Sequence, residues 1–363
     1  MIISNFPGGG GSGLSIDVIT AAALPDKVVD GQIVIETETS ANNVYVSTEE
    51  PVSPASGDIL IMLEPGTEVK WGIMSEPYFL SAGLSYAAQW NGTTWVICEA
   101  YYGVSGVWEQ FSTNLPAVGT SLNNMSWADI SKIAKAGKGA DYFAVGDIKT
   151  VKVNGTFGGL SVNSNVQCKI IGINHNKAIE GNGIHFQFLW FNGTAEAFDD
   201  GYGGQYGTAY SMNTSANNAG GWMSSYMRNT VCPAFLNALP SDMIAVVREC
   251  VKYTDNTGGT GGGDASKVTA TKDKIWLLSA VECFGSVGSG NAAEANYQKQ
   301  YDYYKAGNSP LRYRWKANTT LCNWWLRSPQ ISSTSNFMFA TTSKSVNASA
   351  ANYSYGFAPC LKV

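Results

Sequence analysis

The sequence predicts an α+β chain, with small all-β modules in front and a larger mixed domain behind. Three observations predict it. Short runs rich in Val, Ile and Tyr, broken by Gly, Asn and Asp, fill residues 14–118. A capped amphipathic helix pattern begins at Ser126. Near the end stand two dense apolar segments, Asn323-Trp324-Trp325-Leu326-Arg327-Ser328-Pro329 and Tyr355-Gly356-Phe357-Ala358-Pro359-Cys360-Leu361-Lys362-Val363, which read as buried strands.

Composition agrees. A chain of 363 residues predicts two or three domains. Hydrophobic residues make up 44% and aromatics 12%, so a mainly disordered chain is excluded. Charged residues reach only 14%, so Ser, Thr, Asn and Gly must cover much of the surface. With 23 basic and 28 acidic residues and no basic stripe, nucleic acid is not an expected partner. No apolar run is long enough for membrane insertion. The start, Met1-Ile2-Ile3-Ser4-Asn5-Phe6-Pro7, lacks the basic and apolar regions of a signal peptide.

In chain order, residues 1–13 are a leader ending in the linker Gly8-Gly9-Gly10-Gly11-Ser12-Gly13. Residues 14–63 read as one small β module, with runs at 31–37, 43–47 and 59–63, the last preceded by the turn pair Gly57-Asp58. Residues 64–118 read as a second. There Tyr86-Ala87-Ala88-Gln89-Trp90 and Thr94-Trp95-Val96-Ile97-Cys98 flank Asn91-Gly92, a hairpin signal, and 104–108 predicts another tight turn. Residues 115–119 read as a linker, and 119–363 as the mixed domain.

In that domain Ser126 and Asp129 predict a helix start, Trp127, Ile130, Ile133 and Ala134 one face, and Gly137 its stop. Strands are expected at 145–153, 166–173, 184–190, 275–280 and 356–363. Short helices are expected at 222–229 and 233–239, and a longer one at 292–306, ended by Gly307. Residues 256–263 read as a surface loop.

Enzyme motifs of the GxSxG, HExxH and P-loop kinds are missing, and no catalytic residue is assigned. Asp199-Asp200 reads as an exposed loop pair, and His185 as a satisfied structural histidine in an alternating strand. Seven cysteines at wide spacing read as reduced, buried thiols. The two histidines, His175 and His185, stand in separate contexts without cysteines at ligand spacing, so no metal and no cofactor is expected.

Residues 332–355 have an unusual composition: Ser, Thr, Asn, Ala and Tyr fill 19 of 24 positions. Ser, Asn and Tyr are the contact residues of antibody-like paratopes. The segment is also rich in residues that adenine substitutions in asparagine codons produce. A plain polar loop between core strands is the competing reading. The expected ligand-binding group is Ser332, Thr334, Asn336, Thr341, Ser343, Asn347, Ser349, Asn352, Tyr353 and Tyr355, with both tyrosines ranked first as rigid aromatics. Phe337, Phe339 and Val346 are expected to face inward with Trp324 and Trp325.

The tail NWWLRSP…YGFAPCLKV resembles an uncharacterised domain family of gut bacteria and their phages, marked by a WWLRSP-type signature. Asp147-Ile148-Lys149 with Val151-Lys152-Val153, Ile170-Ile171-Gly172-Ile173-Asn174-His175-Asn176, Ile184-His185-Phe186-Gln187, Trp222-Met223 with Tyr226-Met227-Arg228, and Ile275-Trp276-Leu277-Leu278-Ser279 extend the resemblance over residues 120–363. It implies a C-type-lectin-like fold related to formylglycine-generating enzymes, and kinship with variable proteins of diversity-generating retroelements. Residues 1–118 resemble the N-terminal, virion-attaching modules of phage tail fibres.

The resemblance implies a phage tail receptor-binding protein, trimeric, assembled in the bacterial cytoplasm and displayed on the virion. Its partners would be other tail proteins and a host surface receptor, protein or glycan. Two other readings stay open: an enzyme of the formylglycine-generating type, and a bacterial surface adhesin. Against calcium-dependent sugar binding stands the lack of EPN, QPD and WND motifs, and no reactive cysteine motif surrounds Cys322 or Cys360.

Overall fold

A computed structural model describes residues 2–3, 16–20, 33–37, 44–47, 54–63, 84–90, 95–104, 107–112, 115–116, 118–191, 193–199, 210–260 and 264–363. It divides into two compact units, Met1–Pro116 and Ala117–Val363. Among the described residues the fold is mixed α/β with more strand than helix, and none of its several sheets closes. No described helix is long and apolar enough to cross a membrane.

The first unit holds β1 (Ile2–Ile3), β2 (Ile16–Thr20), β3 (Ile33–Thr37), β4 (Val44–Ser47), β5 (Ile59–Leu63), β6 (Leu84–Trp90), β7 (Trp95–Val104) and β8 (Val107–Ser112). They form one sheet in the order β1-β4-β5-β6-β7-β3-β2, with β8 on β7. Strands of residues 14–63 and 64–118 therefore pair with each other, β5 with β6 and β3 with β7. Successive residues of β3 and β5, Ile33-Val34-Ile35 and Ile59-Leu60-Ile61, are all buried, so both faces of the sheet are covered there. The turn before β5 is closed by Asp58, whose carboxylate accepts from the Ala55 amide at 2.8 Å, while Gly57 takes a φ of 92°. Strands β6 and β7 pair with Trp90 opposite Trp95, as a hairpin requires; Asn91-Gly92 itself lies outside the described residues.

The second unit opens with α1 (Trp127–Lys135), where the Ser126 hydroxyl accepts from the Asp129 amide and Trp127, Ile130, Ile133 and Ala134 are buried. A four-residue helix, α2 (Gly139–Tyr142), follows. Next come β9 (Ile148–Phe157) and β10 (Leu160–Ile173), longer than expected because Gly158-Gly159, both at positive φ, close them into a hairpin with Phe157 opposite Leu160. Then follow α3 (Lys177–Glu180), β11 (Ile184–Phe191) and β12 (Thr194–Ala197).

Helices α4 (Gly221–Ser224) and α5 (Cys232–Asn237) are joined by a π-helical turn over Met227–Val231, and α6 is Ser241–Ile244. The remaining strands begin with β13 (Cys250–Asp255), β14 (Gly259–Thr260), β15 (Val268–Asp273) and β16 (Ile275–Trp276). They continue with β17 (Arg312–Arg314), β18 (Ala317–Cys322), β19 (Trp324–Pro329), β20 (Ser332–Ser333), β21 (Asn336–Ala340), β22 (Val346–Ala350) and β23 (Cys360–Lys362). The largest sheet of this unit places β11 between β10 and the terminal β23, which also pairs with β16. A separate three-stranded sheet runs β19-β21-β22.

Two expectations fail for tertiary reasons. The helix expected at 292–306 is a 3-10 turn at Ala292–Asn296 and a short helix, α8 (Asp302–Lys305). The chain between is drawn elsewhere: Tyr297 stacks on Tyr253 at 4.3 Å, Gln298 bonds to Ser279 and to the Tyr253 carbonyl, and the Tyr301 amide donates to the Glu282 carbonyl. The strand expected at 275–280 stops at Trp276, because Ser279 and Glu282 form a reciprocal capping box that starts α7 (Ala280–Phe284).

Candidate functional site

The WWLRSP strand, β19, is buried along its whole length. Trp324 and Trp325 donate from their indole nitrogens to the carbonyls of Pro310 and Tyr210, at 2.9 and 2.8 Å. Strand β21 lies against β19, and β22 lies outside β21. Phe337, Met338 and Phe339 are all buried. The inward and outward alternation expected there does not occur, because β21 is covered on both faces. Phe339 meets Trp325 and Tyr355, whereas Met338 packs on the loop of Gly288 and Gly290, where a Cβ on either glycine would strike it. Val346 is half-buried.

The ten expected contact residues divide by exposure. Ser332, Thr334, Ser343 and Asn347 are exposed, while Asn336, Thr341, Ser349, Asn352 and Tyr353 are half-buried. Several are tied down locally. The Thr341 hydroxyl lies 2.9 Å from that of Ser343 and 2.8 Å from that of Ser345, and the Asn336 amide donates to Gln330 at 2.9 Å. Tyr355 is a correction: it is 8% exposed, its ring 4.8 Å from Trp325 and 4.6 Å from Phe339, and its hydroxyl donates to Ser349. The cause is the return of the chain, in which the Gly356 amide donates to the Asn323 carbonyl and the Trp325 amide to that of Gly356. Tyr355 therefore serves as scaffold.

Asn218, which sequence reasoning passed over, ties this surface to two other segments. It is fully buried, and its side-chain amide donates to the carbonyls of Ser333 and Asn336 at 2.8 and 2.9 Å. Its backbone amide donates to the Thr334 carbonyl, and its side-chain oxygen accepts from the Gly259 amide at 2.9 Å. Strand β14 pairs with β20 beside it. The exposed residues Thr214, Ser215, Asn217 and Thr257 thus lie on segments pinned to the same turn.

A second constellation lies inside the unit. The Arg327 guanidinium of β19 is fully buried and donates to the backbone carbonyl of Leu277. Its main partner is the Glu282 carboxylate, gripped by both terminal nitrogens, and its Nε donates to Thr254 at 2.9 Å. Burial alone would raise the Glu282 carboxyl, yet Arg327 and Lys252 hold it well below the usual range. The Lys252 ammonium donates to Glu180, Glu282 and Tyr301, each at 3.0 Å. Burial opposes its charge, and the pull of Cys250, Glu180 and Glu282 overrides that, so the ammonium persists.

His185 is fully buried 2.9 Å from the Tyr301 hydroxyl, and His175 stacks on the same ring at 3.8 Å. Burial, then the Lys252 charge, keeps both imidazoles neutral, with His175 pushed down to about 3. The two histidines, expected in separate contexts, stand with ring centroids 5.8 Å apart, and His185 lies beside Cys250. Sequence spacing says nothing about convergence across strands; the readable sign was the Ser279-x-x-Glu282 box, which marks the helix that carries Glu282 inward.

All seven cysteines are buried, and no disulfide links any of them. Asp199 lies 4.0 Å from Arg314 with its side chain 2% exposed, unlike the exposed pair expected, and Asp200 lies outside the described residues.

Residues 199–363 match the model of a family described as a domain of unknown function, DUF6273. The matched stretch takes in Lys252, Glu282, Arg327 and the 332–355 segment, and leaves out Glu180 and His185. No curated protein and no solved structure matches the chain.

Proposed function

We propose that the second unit is a ligand-binding domain of the C-type-lectin-like kind, and that the chain is a phage tail receptor-binding protein whose host-facing contacts come from residues 332–355. The observation that carries this reading is the sorting of that segment by chemistry. Its large apolar residues, Phe337, Met338 and Phe339, and Tyr355 are buried, while Asn347 of β22, Ser332 of β20, and Thr334 and Ser343 of the adjoining turns are exposed. Short hydroxyl and amide side chains on a fixed backbone can change without disturbing a core, which suits a surface selected for target choice. The resemblance of the tail and front modules to phage proteins supplies the setting.

The enzyme reading gains no support from the thiols. Burial raises both Cys322 and Cys360, the reverse of a reactive thiolate. Multivalent display would strengthen weak single contacts, so a trimer is part of the proposal.

The test is binding of the fluorescently labelled chain to intact cells of a panel of gut bacterial strains. The comparison is a variant carrying Ser332→Ala, Thr334→Ala, Ser343→Ala, Asn347→Ala and Tyr353→Ala. The parent chain should stain at least one strain and the variant should lose that staining at unchanged fold. Equal staining by both would place the contact surface elsewhere.

A further inference from the structure

A Glu180 carboxylate oxygen, a His185 ring nitrogen and the Cys250 sulfur lie within 4.8 Å of one another, all on buried residues. Carboxylate, imidazole and thiol are the donors that zinc takes. The Cys250 sulfur lies 3.4 Å and the His185 Nδ1 3.6 Å from the same oxygen, Oε2 of Glu180. A metal placed between them would need no long-range rearrangement of the backbone.

That place already has a cation beside it. The Lys252 ammonium sits 3.0 Å from the same Glu180 oxygen. Its other two hydrogens go to Glu282 and Tyr301, so its three donors meet three oxygen acceptors, and the Trp276 ring lies 4.5 Å away. The charges close as well. Arg327 balances Glu282, and Glu180 is left for Lys252 to balance. Lys252 and Cys250 are two residues apart on β13, on one side of the strand, so one stretch of backbone supplies both the ammonium and the sulfur donor.

We propose that Glu180, His185 and Cys250 form a latent divalent-metal site that the chain keeps closed with its own cation, the Lys252 ammonium. The ammonium satisfies the buried carboxylate and repels a second positive ion. Removing it leaves Glu180 uncompensated and frees space for zinc, which would bind with loss of the Cys250 thiol proton to solvent.

The experiment compares the full chain, Lys252→Ala and the double variant Lys252→Ala with Cys250→Ser. Each is refolded with zinc or cobalt(II), or with chelator, then freed of loose metal by gel filtration. The full chain should carry no metal and melt at the same temperature in zinc and in chelator. Lys252→Ala should melt lower in chelator, retain about one zinc per chain, and recover much of its melting temperature with it. With cobalt it should show a thiolate charge-transfer band, and the double variant should lose that band and the recovery. If Lys252→Ala does not fold in chelator, refolding yield becomes the readout, and zinc should restore it. Stoichiometric, Cys250-dependent zinc in the full chain would overturn the proposal. So would a Lys252→Ala chain that retains no zinc and gains neither melting temperature nor refolding yield from it.

Discussion

At the residue scale, neighbouring tyrosines carry opposite predictions. Tyr355 is packed between Trp325 and Phe339, so Tyr355→Ala should cost about 3 kcal/mol, seen as a lower melting temperature. Tyr353 is half-buried, and Tyr353→Ala should cost under ~1 kcal/mol. Sequence composition could not separate them, because both sit in the same polar run and only the return of the chain at Gly356 decides which turns inward. The histidines give a pH prediction. His175 and His185 stay neutral when folded and take protons below about pH 6.5 when unfolded. Stability is therefore complete above that pH and falls as pH drops below it, by up to about 1.4 kcal/mol per pH unit for each histidine. Glu282, held low, adds a further loss only below its ordinary value of 4.5. Urea unfolding of the parent and of His175→Gln at about pH 7, 6 and 5 isolates the His175 contribution, because Glu180 and Glu294, whose carboxyls burial raises, act in the opposite sense in both chains. The midpoint of the parent should fall more with falling pH than that of His175→Gln, and equal pH dependence in the two would show that the His175 imidazole is not held neutral.

At the element scale, local signals were readable where local chemistry decides. The Ser126 cap, the apolar face of α1 and the β6–β7 pairing follow directly from residue patterns. The hairpin at Gly158-Gly159 went unread, with strands expected only at 145–153 and 166–173, although a Gly-Gly pair between such runs signals a tight turn. The 292–306 segment was not legible, since its helical spacing of tyrosines is overridden by contacts to Tyr253, Ser279 and Glu282 that lie far away in sequence. Asn218 belongs to the same class. Asn218→Ala would take a donor from the half-buried carbonyls of Ser333 and Asn336, the latter keeping the Gln330 amide, and would remove the side-chain acceptor of the Gly259 amide, at about 1–3 kcal/mol for each group left without a partner. Amide hydrogen exchange should quicken at 257–260 and 330–336 while β9 and β10 stay protected. Unchanged exchange at those two loops would mean that Asn218 does not hold them.

At the scale of the whole molecule, the change of style near residue 118 in the sequence lies beside the division between Pro116 and Ala117. A fragment of residues 117–363 should unfold cooperatively by itself, because its sheets, helices and buried ionic cluster are internal to that unit. A molten fragment beside a folded full chain would contradict this. The ionic cluster was invisible as a whole from sequence: Glu180, Lys252, Glu282 and Arg327 carry no shared spacing, and only the meeting of α3, β13, α7 and β19 assembles them. The exposed face of 332–355 was legible through composition, but its limits were not. One measurement tests the central claim most directly: a position-by-position scan of 332–355 in the full chain, scoring protease resistance and attachment to a stained bacterial strain side by side. Substitutions at Phe337, Met338, Phe339 and Tyr355 should fail for resistance, while those at Ser332, Thr334, Ser343 and Asn347 should keep resistance and alter attachment. Attachment that falls only where resistance falls would contradict it.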